Sequence, residues 1–302
     1  MKMEKFIKQT VSEDYSGIKI SDLSPFYYKN RVRPNHFILK DEEGREWFLK
    51  VGASDFGNMA LLNDLYDLLL KKKFPALYPA RNKRGGFVTH KNDSAVQLFP
   101  FVKSDLSKVK NKRGKEISLF SSFYNIVNSD KRLAKKLNAE KFKRHEVEFR
   151  EVLGDNEHRK KLKIFFNDFD ELEKKANEYF AVYKDLKVCH GDCTDKNLVY
   201  HKKKLLMIDF DSVGLDDLRF EIFRTAHDNT RDVANLIRYM NSINRKLLPS
   251  LRFSRKDMEQ LDSFLFFYTA LRLRYKPVKE VLPSPYRRFF GDIRKYLKKN
   301  HR

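Results

Sequence analysis

The sequence predicts a two-lobed α+β fold, in which a small antiparallel sheet with one helix precedes a larger helical lobe. Paired extended runs dominate residues 1–100, and apolar positions at helical spacing dominate the chain from residue 101 onward. One short β-hairpin, within residues 198–210, interrupts the helical pattern. We therefore place an N-terminal lobe at residues 1–100 and a helical C-terminal lobe, which carries this hairpin, at residues 101–302.

The first paired strands lie in NHFILKDEEGREWFLKV, as two extended runs at residues 35–40 and 46–51. Gly44 suits the turn between them, because glycine adopts the backbone angles that tight turns require. The stretches GGFVTH and SAVQLFPFV predict two more strands, and the second of these breaks at Pro100. The N-terminal lobe is thus expected to hold a small sheet.

One helix is expected between these strands, in NMALLNDLYDLLLKKKFP. Its leucines recur at spacings of three and four residues, which places them on one helical face. Pro75 ends the helix, because proline has no N–H to continue the hydrogen-bond ladder. The leucines are Leu61, Leu62, Leu65, Leu68 and Leu69.

Helical periodicity continues in LFSSFYNIV, KIFFNDFDELEKKANEYFAVY and LDSFLFFYTALRLRY. The exception is a pair of apolar runs, residues 198–201 and 205–210, which three lysines separate. Such a pair predicts a second β-hairpin. The basic segment KSDLSKVKNKRGK, residues 103–115, is expected to form a loop.

The composition describes a folded and strongly basic protein. The chain has 302 residues, 41% of them hydrophobic, and a net charge of +22. Residues 103–163 contain 18 Lys or Arg against 9 Asp or Glu, and residues 271–302 contain 11 against 2. Such a field attracts anions, whether phosphates, nucleic acid or an acidic membrane surface. The charge alone does not identify the anion, and a basic surface that has no dedicated partner is an equally open interpretation.

No segment near the first residues joins a basic start to an apolar run and a small-residue cleavage site. The apolar run FLFFYTALRL is too short to span a bilayer. We therefore expect a cytoplasmic protein, with peripheral attachment at the inner membrane face as an option.

The richest chemical signal is HGDCTDKNLVYHKKKLLMIDFD, residues 190–211. Phosphoryl transfer from ATP needs Mg²⁺ on oxygen ligands, a cation on the phosphates and a group that deprotonates the acceptor hydroxyl. Asp209 closes one strand and Asn197 opens its partner, so both side chains are expected to converge on one metal ion. Asp192 lies five residues before Asn197, where it can meet an acceptor hydroxyl.

This stretch resembles the catalytic loop and metal-binding strand of the aminoglycoside phosphotransferase and choline kinase group, relatives of the protein kinases. The resemblance implies that Asp192 is the catalytic base and that Asn197 and Asp209 hold Mg²⁺. It also implies that His190 braces the loop by hydrogen bonding. Asp211 then supports a second ion or an acceptor group, or is simply a solvated carboxylate.

The same resemblance implies a protein-kinase-like fold and ATP as the phosphoryl donor, although GTP stays open. Lys50 stands where the third-strand lysine contacts the nucleotide phosphates. Asp64 stands near the place of its glutamate partner, one methylene shorter. The phosphate-covering loop is expected before Asn35, in YKNRVRPNHF, which contains no glycine.

Two further stretches fit the resemblance. QLFPF suits the hinge between lobes, where backbone groups of Leu98, Phe99 and Pro100 are expected to bind adenine, although an ordinary core strand fits equally well. GLDDLRFEIFR resembles the family's segment after the metal strand. The matching residues there are Gly214, Asp217 and Glu221, with Leu218 where proline is common.

The sequence thus predicts an ATP-dependent phosphotransferase acting on a hydroxyl of a small molecule or sugar. The basic charge argues against a polycationic acceptor. A lipopolysaccharide-core or other glycolipid sugar kinase is the first alternative, held at an anionic membrane surface by the basic C-terminal segment and its aromatics. An atypical protein kinase and a non-enzymatic, basic nucleic-acid-binding protein are the others, and nucleic acid is not favoured as a partner.

Overall fold

A computed structural model describes residues 2–28, 31–53, 56–137, 140–166, 168–230, 232–254, 257, 260–275, 291–293 and 295–296. The chain divides into two compact units. The first unit combines Met1–Lys115 with Lys196–Asp211, and the second combines Glu116–Asp195 with Ser212–Arg302. The predicted α+β class is confirmed, with an antiparallel sheet in the first unit and mostly helices in the second.

The first unit is built on a five-stranded antiparallel sheet with the order β1-β2-β3-β5-β4. Its strands are β1 Ile20–Tyr28, β2 Arg31–Asp41, β3 Glu46–Ala53, β4 Thr89–Lys91 and β5 Ser94–Pro100. Two helices accompany the sheet, α1 Lys2–Asp14 before β1 and α2 Phe56–Lys71 between β3 and β4. The leucine spacing predicts α2, whereas α1 was not predicted from the sequence.

The core of the first unit forms between α1 and one face of the sheet. Because side chains alternate along a strand, Leu49 and Val51 face this core, and Phe48 and Lys50 point to the opposite face. Burying each such aliphatic side chain contributes about 1.5–3 kcal/mol. The core residues are Ile7, Val11, Tyr15, Ile18, Leu39, Leu49, Val51, Val96 and Leu98.

The turn between β2 and β3 is organised by the Asp41 side chain. Its carboxylate accepts hydrogen bonds from the backbone N–H of Glu43 and Arg45 and from the Trp47 indole N–H, at 2.8–3.1 Å. Burial raises the pKa of Asp41, but the hydrogen bonds from Trp47 and Arg45 outweigh burial and lower it overall. Gly44 has φ 77°, which confirms the expected glycine turn.

The short hairpin also lies in the first unit, as β7 Leu198–His201 and β8 Lys204–Met207. Its strands pair antiparallel, with Leu198 opposite Met207. Backbone hydrogen bonds at 3.0 Å join Met207 to Pro75 and Leu77, in the segment after α2. The hairpin is therefore fixed within the unit that contains Lys50.

The second unit is mainly helical and has one pair of short strands, β6 Lys187–Cys189 and β9 Gly214–Asp216. Its interior is rich in phenylalanine, and the rings of Phe149, Phe180 and Phe267 lie with centroids 5.0–5.6 Å apart. The remaining helices are α3 Lys112–Ser129, α4 Lys131–Lys136, α5 Glu140–Gly154, α6 Asn156–Phe165, α7 Phe169–Val182, α8 Leu218–Asn229, α9 Val233–Lys246 and α10 Leu261–Tyr275.

Three further features of the chain correspond to predictions from the sequence. The expected loop at residues 103–115 contains a short 3₁₀ turn, Leu106–Lys108, and the start of α3. Among the described residues, no helix has both the length and the apolar character needed to cross a membrane. Residues 276–290, the central part of the basic C-terminal segment, lie outside the described residues.

Candidate active site

Asn197 and Asp209 lie at the open end of the β7–β8 hairpin. Asn197 ends a 3₁₀ turn just before β7, and its carbonyl accepts a hydrogen bond from Ile208 N–H at 2.9 Å. Asp209 follows Ile208 directly. The Asn197 side chain is buried, whereas that of Asp209 is exposed. The structure thus brings both predicted metal ligands to one end of one hairpin.

Asp209 has a left-handed backbone, with φ 62°. This region is uncommon for residues other than glycine, because Cβ crowds the following carbonyl, although aspartate adopts it more readily than most. Such strain persists where the surrounding structure demands it, commonly at functional sites. Here the turn directs the chain from β8 into the 3₁₀ turn Phe210–Ser212.

Lys50 forms ion pairs with both aspartates of this turn. Its Nζ lies 2.7 Å from Asp209 Oδ1 and 2.5 Å from Asp211 Oδ2. The Lys50 side chain is 20% exposed, and those of Asp209 and Asp211 are 44% and 39% exposed. Burial lowers the pKa of Lys50, but the two carboxylates outweigh burial and raise it, so the amine stays charged. Asp64 is exposed on α2, and its pairing with Lys50 stays a prediction.

Aromatic side chains share the sheet face of Lys50. Phe48 precedes Lys50 by two residues, and its ring centroid lies 5.5 Å from that of His36, 5.1 Å from that of Phe26 and 6.4 Å from that of Phe99. None of Phe48, Phe26 and His36 was predicted as a site residue from the sequence. Strand alternation from Lys50 is the signal that identifies Phe48.

The other predicted nucleotide contacts lie in the same sheet. Asn35 is exposed in β2 with φ 66°, one residue before the cross-strand partner of Lys50. Leu98 is fully buried, and its carbonyl accepts a hydrogen bond from Ala80 N–H at 2.6 Å. Phe99 is buried and Pro100, the last residue of β5, is exposed. Nucleotide contacts of these residues stay predictions.

The predicted catalytic loop is held by a buried carboxylate in the second unit. Glu221, which is 1% exposed, accepts hydrogen bonds at 2.8 Å from the backbone N–H of His190 and Gly191 and from the Tyr124 hydroxyl. The Arg224 guanidinium donates to the Gly191 carbonyl. Gly191 has φ 89°, a conformation that L side chains rarely adopt. Glu221 thus fixes the backbone just before Asp192.

Asp192 itself is exposed at the tip of this loop. Its backbone N–H lies 3.3 Å from His190 Nδ1, and its carbonyl accepts from Thr194 N–H at 2.9 Å. The His190 ring is fully buried and meets the Phe123 ring edge to face, with centroids 5.5 Å apart. These contacts support a bracing role for His190.

Sequence reasoning missed Tyr124 and Arg224, which help to hold the loop. Tyr124 precedes its partner Glu221 by 97 residues, so only the folded chain brings the two together. Burial lowers the pKa of Arg224, but Glu221 and Asp192 outweigh burial and raise it, so a fixed positive charge lies behind the loop. Helical periodicity could place these residues on α3 and α8 and could not pair them.

An antiparallel sheet with one helix after its third strand, followed by a helical region, is the architecture of the protein-kinase-like fold. Residues 134–253 match the APH family model, which describes the phosphotransferase enzyme family. The predicted resemblance and the prediction of a phosphotransferase enzyme are therefore confirmed. No curated protein matches the chain in sequence.

Solved structures share this fold. An aminoglycoside phosphotransferase from Alicyclobacillus acidocaldarius is 13% identical over 96% of both chains, with a TM-score of 0.64. The amicoumacin kinase hAmiN, solved with AMP-PNP, Ca²⁺ and Ami, is 10% identical over 98% of this chain and 93% of its own, with a TM-score of 0.62. The choline kinase LicA from Streptococcus pneumoniae is 12% identical over 98% of this chain and 100% of its own, with a TM-score of 0.53.

Proposed function

We propose that this protein transfers the γ-phosphate of ATP to a hydroxyl group of a small molecule or sugar. The observation that carries the proposal is the cluster of Lys50, Asp209 and Asp211 at the open end of the β7–β8 hairpin. A strand lysine and two carboxylates 159 and 161 residues later meet there, as phosphoryl transfer with a metal-bound nucleotide requires.

The donor set at this hairpin fits a divalent metal ion. Asn197 and Asp209 offer an amide and a carboxylate oxygen, the hard ligands that Mg²⁺ prefers. Asp209 and Asp211 already hold one cationic group, the Lys50 ammonium. When bound, Mg²⁺ neutralises charge on the β- and γ-phosphate oxygens. The amicoumacin kinase was solved with AMP-PNP and Ca²⁺, which supports the same use of nucleotide and metal here.

Asp192 is the proposed general base. It accepts the proton of the acceptor hydroxyl as that oxygen forms its bond to the γ-phosphorus and the bond to the ADP oxygen breaks. Glu221 and Arg224 orient the loop that carries Asp192. Lys50 donates hydrogen bonds to the phosphates, and its raised pKa keeps it a donor at neutral pH.

The aromatic face beside Lys50 is the proposed wall for the nucleotide base. Phe48 and Phe99 pair across β3 and β5, so their rings offer adjacent apolar surface for a planar base. Backbone groups of Leu98, Phe99 and Pro100 are proposed to bind the base edge, and Asn35 to approach the phosphates. Asp64 is proposed as a more distant partner of Lys50.

The acceptor is proposed to be neutral or anionic. The family neighbours include an aminoglycoside phosphotransferase and a choline kinase, named for cationic acceptors. A net charge of +22 opposes the approach of a polycation. A sugar hydroxyl, free or on a glycolipid at an anionic membrane surface, fits this charge better.

Calorimetry and an ATP-consumption screen test the proposal. We expect Mg²⁺-dependent nucleotide binding by the wild-type protein, and turnover with at least one sugar or small alcohol. Asp192→Ala should lower kcat by about 10²–10⁴-fold, because the general base is lost, while nucleotide binding stays largely intact. Asp185→Ala, an exposed carboxylate in the same unit, serves as the matched control and should keep full turnover.

Three outcomes would contradict the proposal. Absence of Mg²⁺-dependent nucleotide binding would contradict the proposed transfer from a metal-bound nucleotide. Transfer of labelled phosphate to protein in preference to every small acceptor would favour the atypical protein kinase. Salt-sensitive RNA binding that is unaffected by Asp192→Ala, without any turnover, would favour the nucleic-acid-binding alternative.

A further inference from the structure

The inner face of α2 presents a tyrosine to the Lys50 cluster. Tyr66 is fully buried, and its ring meets the ring of Phe210, the residue between Asp209 and Asp211, with centroids 5.6 Å apart at 83°. The two carboxyl side chains of α2, Asp64 and Asp67, are both exposed. The polar group that α2 buries against this turn is therefore a neutral hydroxyl.

The Tyr66 hydroxyl lies near the carboxylates of Asp209 and Asp211 and near the Gln97 side chain. Burial, and then the charges of Asp211 and Asp209, raise its pKa well above the ordinary value, so it stays protonated. Within the described chain, neither Tyr66 Oη nor Gln97 Nε2 completes a hydrogen bond of normal geometry. Buried polar groups are nearly always hydrogen-bonded, so these two neighbouring atoms have the capacity for a further partner.

Gln97 lies beside Lys50 itself. It is the cross-strand partner of Lys50 in the antiparallel pairing of β5 with β3, so the two side chains share one face of the sheet. Gln97 is 4% exposed. Its carbonyl oxygen can accept the Tyr66 O–H, which leaves the Tyr66 lone pairs for a cationic donor.

We propose that Tyr66 Oη accepts a hydrogen bond from the Lys50 ammonium when Asp209 binds the metal ion of a nucleotide complex. Gln97 supports the Tyr66 hydroxyl in this role. This inference rests on the proposed function and makes Tyr66 a positioning residue. In the structure, Lys50 pairs with Asp209 and Asp211. With nucleotide bound, Lys50 donates to the phosphates and to Tyr66 Oη, and Tyr66 donates to Gln97 Oε1.

The neutral partner has a consequence for metal dependence. A glutamate on α2 would hold the ammonium permanently and leave the two aspartates available. With Tyr66 in that place, Lys50 pairs with Asp209 and Asp211, so the lysine competes with the metal ion for these two carboxylates. Nucleotide binding is therefore tightly coupled to the Mg²⁺ concentration.

Tyr66→Phe tests the role of the hydroxyl, with Tyr78→Phe as the matched control. Tyr78 lies 6.2 Å from Tyr66 between ring centroids and donates to the Phe74 carbonyl at 2.7 Å. Tyr66→Phe should weaken nucleotide binding about tenfold by calorimetry, because a hydrogen bond to a charged group is lost. The Tm without ligand should stay equal or rise. Tyr78→Phe should lower that Tm and leave nucleotide affinity unchanged.

Gln97→Glu tests the competition directly. A carboxylate beside Lys50 should draw the ammonium from Asp209 and Asp211, and lower the Mg²⁺ concentration for half-maximal nucleotide binding about fivefold to tenfold. Gln97→Met removes the polar group at similar volume and should weaken nucleotide binding as Tyr66→Phe does.

The outcomes separate this inference from the proposed function. If the wild-type protein binds Mg²⁺-nucleotide and Tyr66→Phe binds it equally well, the positioning role is wrong and the kinase function stands. A Tyr66→Phe variant that loses ligand-free stability and nucleotide affinity in parallel would show a purely structural role. If the wild-type protein binds no nucleotide, both proposals fail together.

Discussion

At the scale of single residues, Glu221 shows how a buried charge can hold a loop. Its carboxylate receives three hydrogen bonds at 2.8 Å, from two consecutive backbone amides and the Tyr124 hydroxyl. Hydrogen bonds to charged groups contribute about 1.5–3 kcal/mol, and donors left unsatisfied in a buried site add a further penalty. The loop before Asp192 therefore depends more on the Glu221 carboxylate, which accepts all three hydrogen bonds, than on any single donor.

Glu221→Ala is expected to lower the free energy of unfolding by about 3 kcal/mol, because it leaves two buried amides without their acceptor and removes a counter-charge of Arg224. It should also lower kcat at least about tenfold, since the Asp192 loop loses its anchor. Urea denaturation and the ATP-consumption assay measure the two effects.

Tyr124→Phe is the comparison, because it removes only one donor and should cost about 1 kcal/mol with little change in kcat. If the two variants lost equal free energy of unfolding and equal kcat, the contact of Tyr124 on α3, and not the Glu221 carboxylate as a whole, would hold the loop.

At the scale of elements, the sequence predicted those features that depend on local pattern. The extended runs on either side of Gly44 became β2 and β3, and the two apolar runs around three lysines became β7 and β8. Helix α1 was missed although Ile7 and Val11 recur at helical spacing, because charged residues surround them. Its stability comes from packing on the sheet, which no local pattern shows.

The two residues that form the turn of the β7–β8 hairpin are poorly suited to its backbone conformation. Lys202 and Lys203 connect the strands with φ values of 47° and 64°, both in the left-handed region. Two-residue hairpins of this kind prefer Asn-Gly, because glycine meets no Cβ crowding there. The lysines therefore store strain at the end of the hairpin opposite to Asn197 and Asp209.

The double substitution Lys202→Asn with Lys203→Gly should raise the free energy of unfolding by about 1–2 kcal/mol, because it relieves two left-handed lysines. Urea denaturation at high salt is the measurement, since salt screens the simultaneous loss of two charges. Lys202→Gln with Lys203→Gln removes the same charges and keeps the strain, so it should give no comparable gain. A gain of similar size in the glutamine variant would assign the effect to charge.

At the scale of the whole chain, the candidate site depends on contacts between residues that are far apart in the sequence. The first unit combines residues 1–115 with residues 196–211, so Lys50 meets Asp209 across 159 residues. The resemblance supplied Lys50, Asn197 and Asp209 as a set. The resemblance did not include Tyr66 or Tyr124. The helical pattern of α2 and α3 predicts which face is buried, but it does not predict which polar group that face contacts.

The net charge of +22 makes the acceptor preference a property of the whole molecule. A field of this sign attracts anionic acceptors and repels cationic ones over about 30 Å at ~10 mM salt, and over about 8 Å at physiological salt. We expect kcat/KM for an anionic sugar to fall about tenfold between ~10 and ~300 mM salt, while that for a neutral sugar changes little. An aminoglycoside should react more slowly than either at low salt and gain from added salt. An aminoglycoside that reacts fastest at low salt would show that local carboxylates in the acceptor site outweigh the overall field, and the preference for neutral or anionic acceptors would then be wrong.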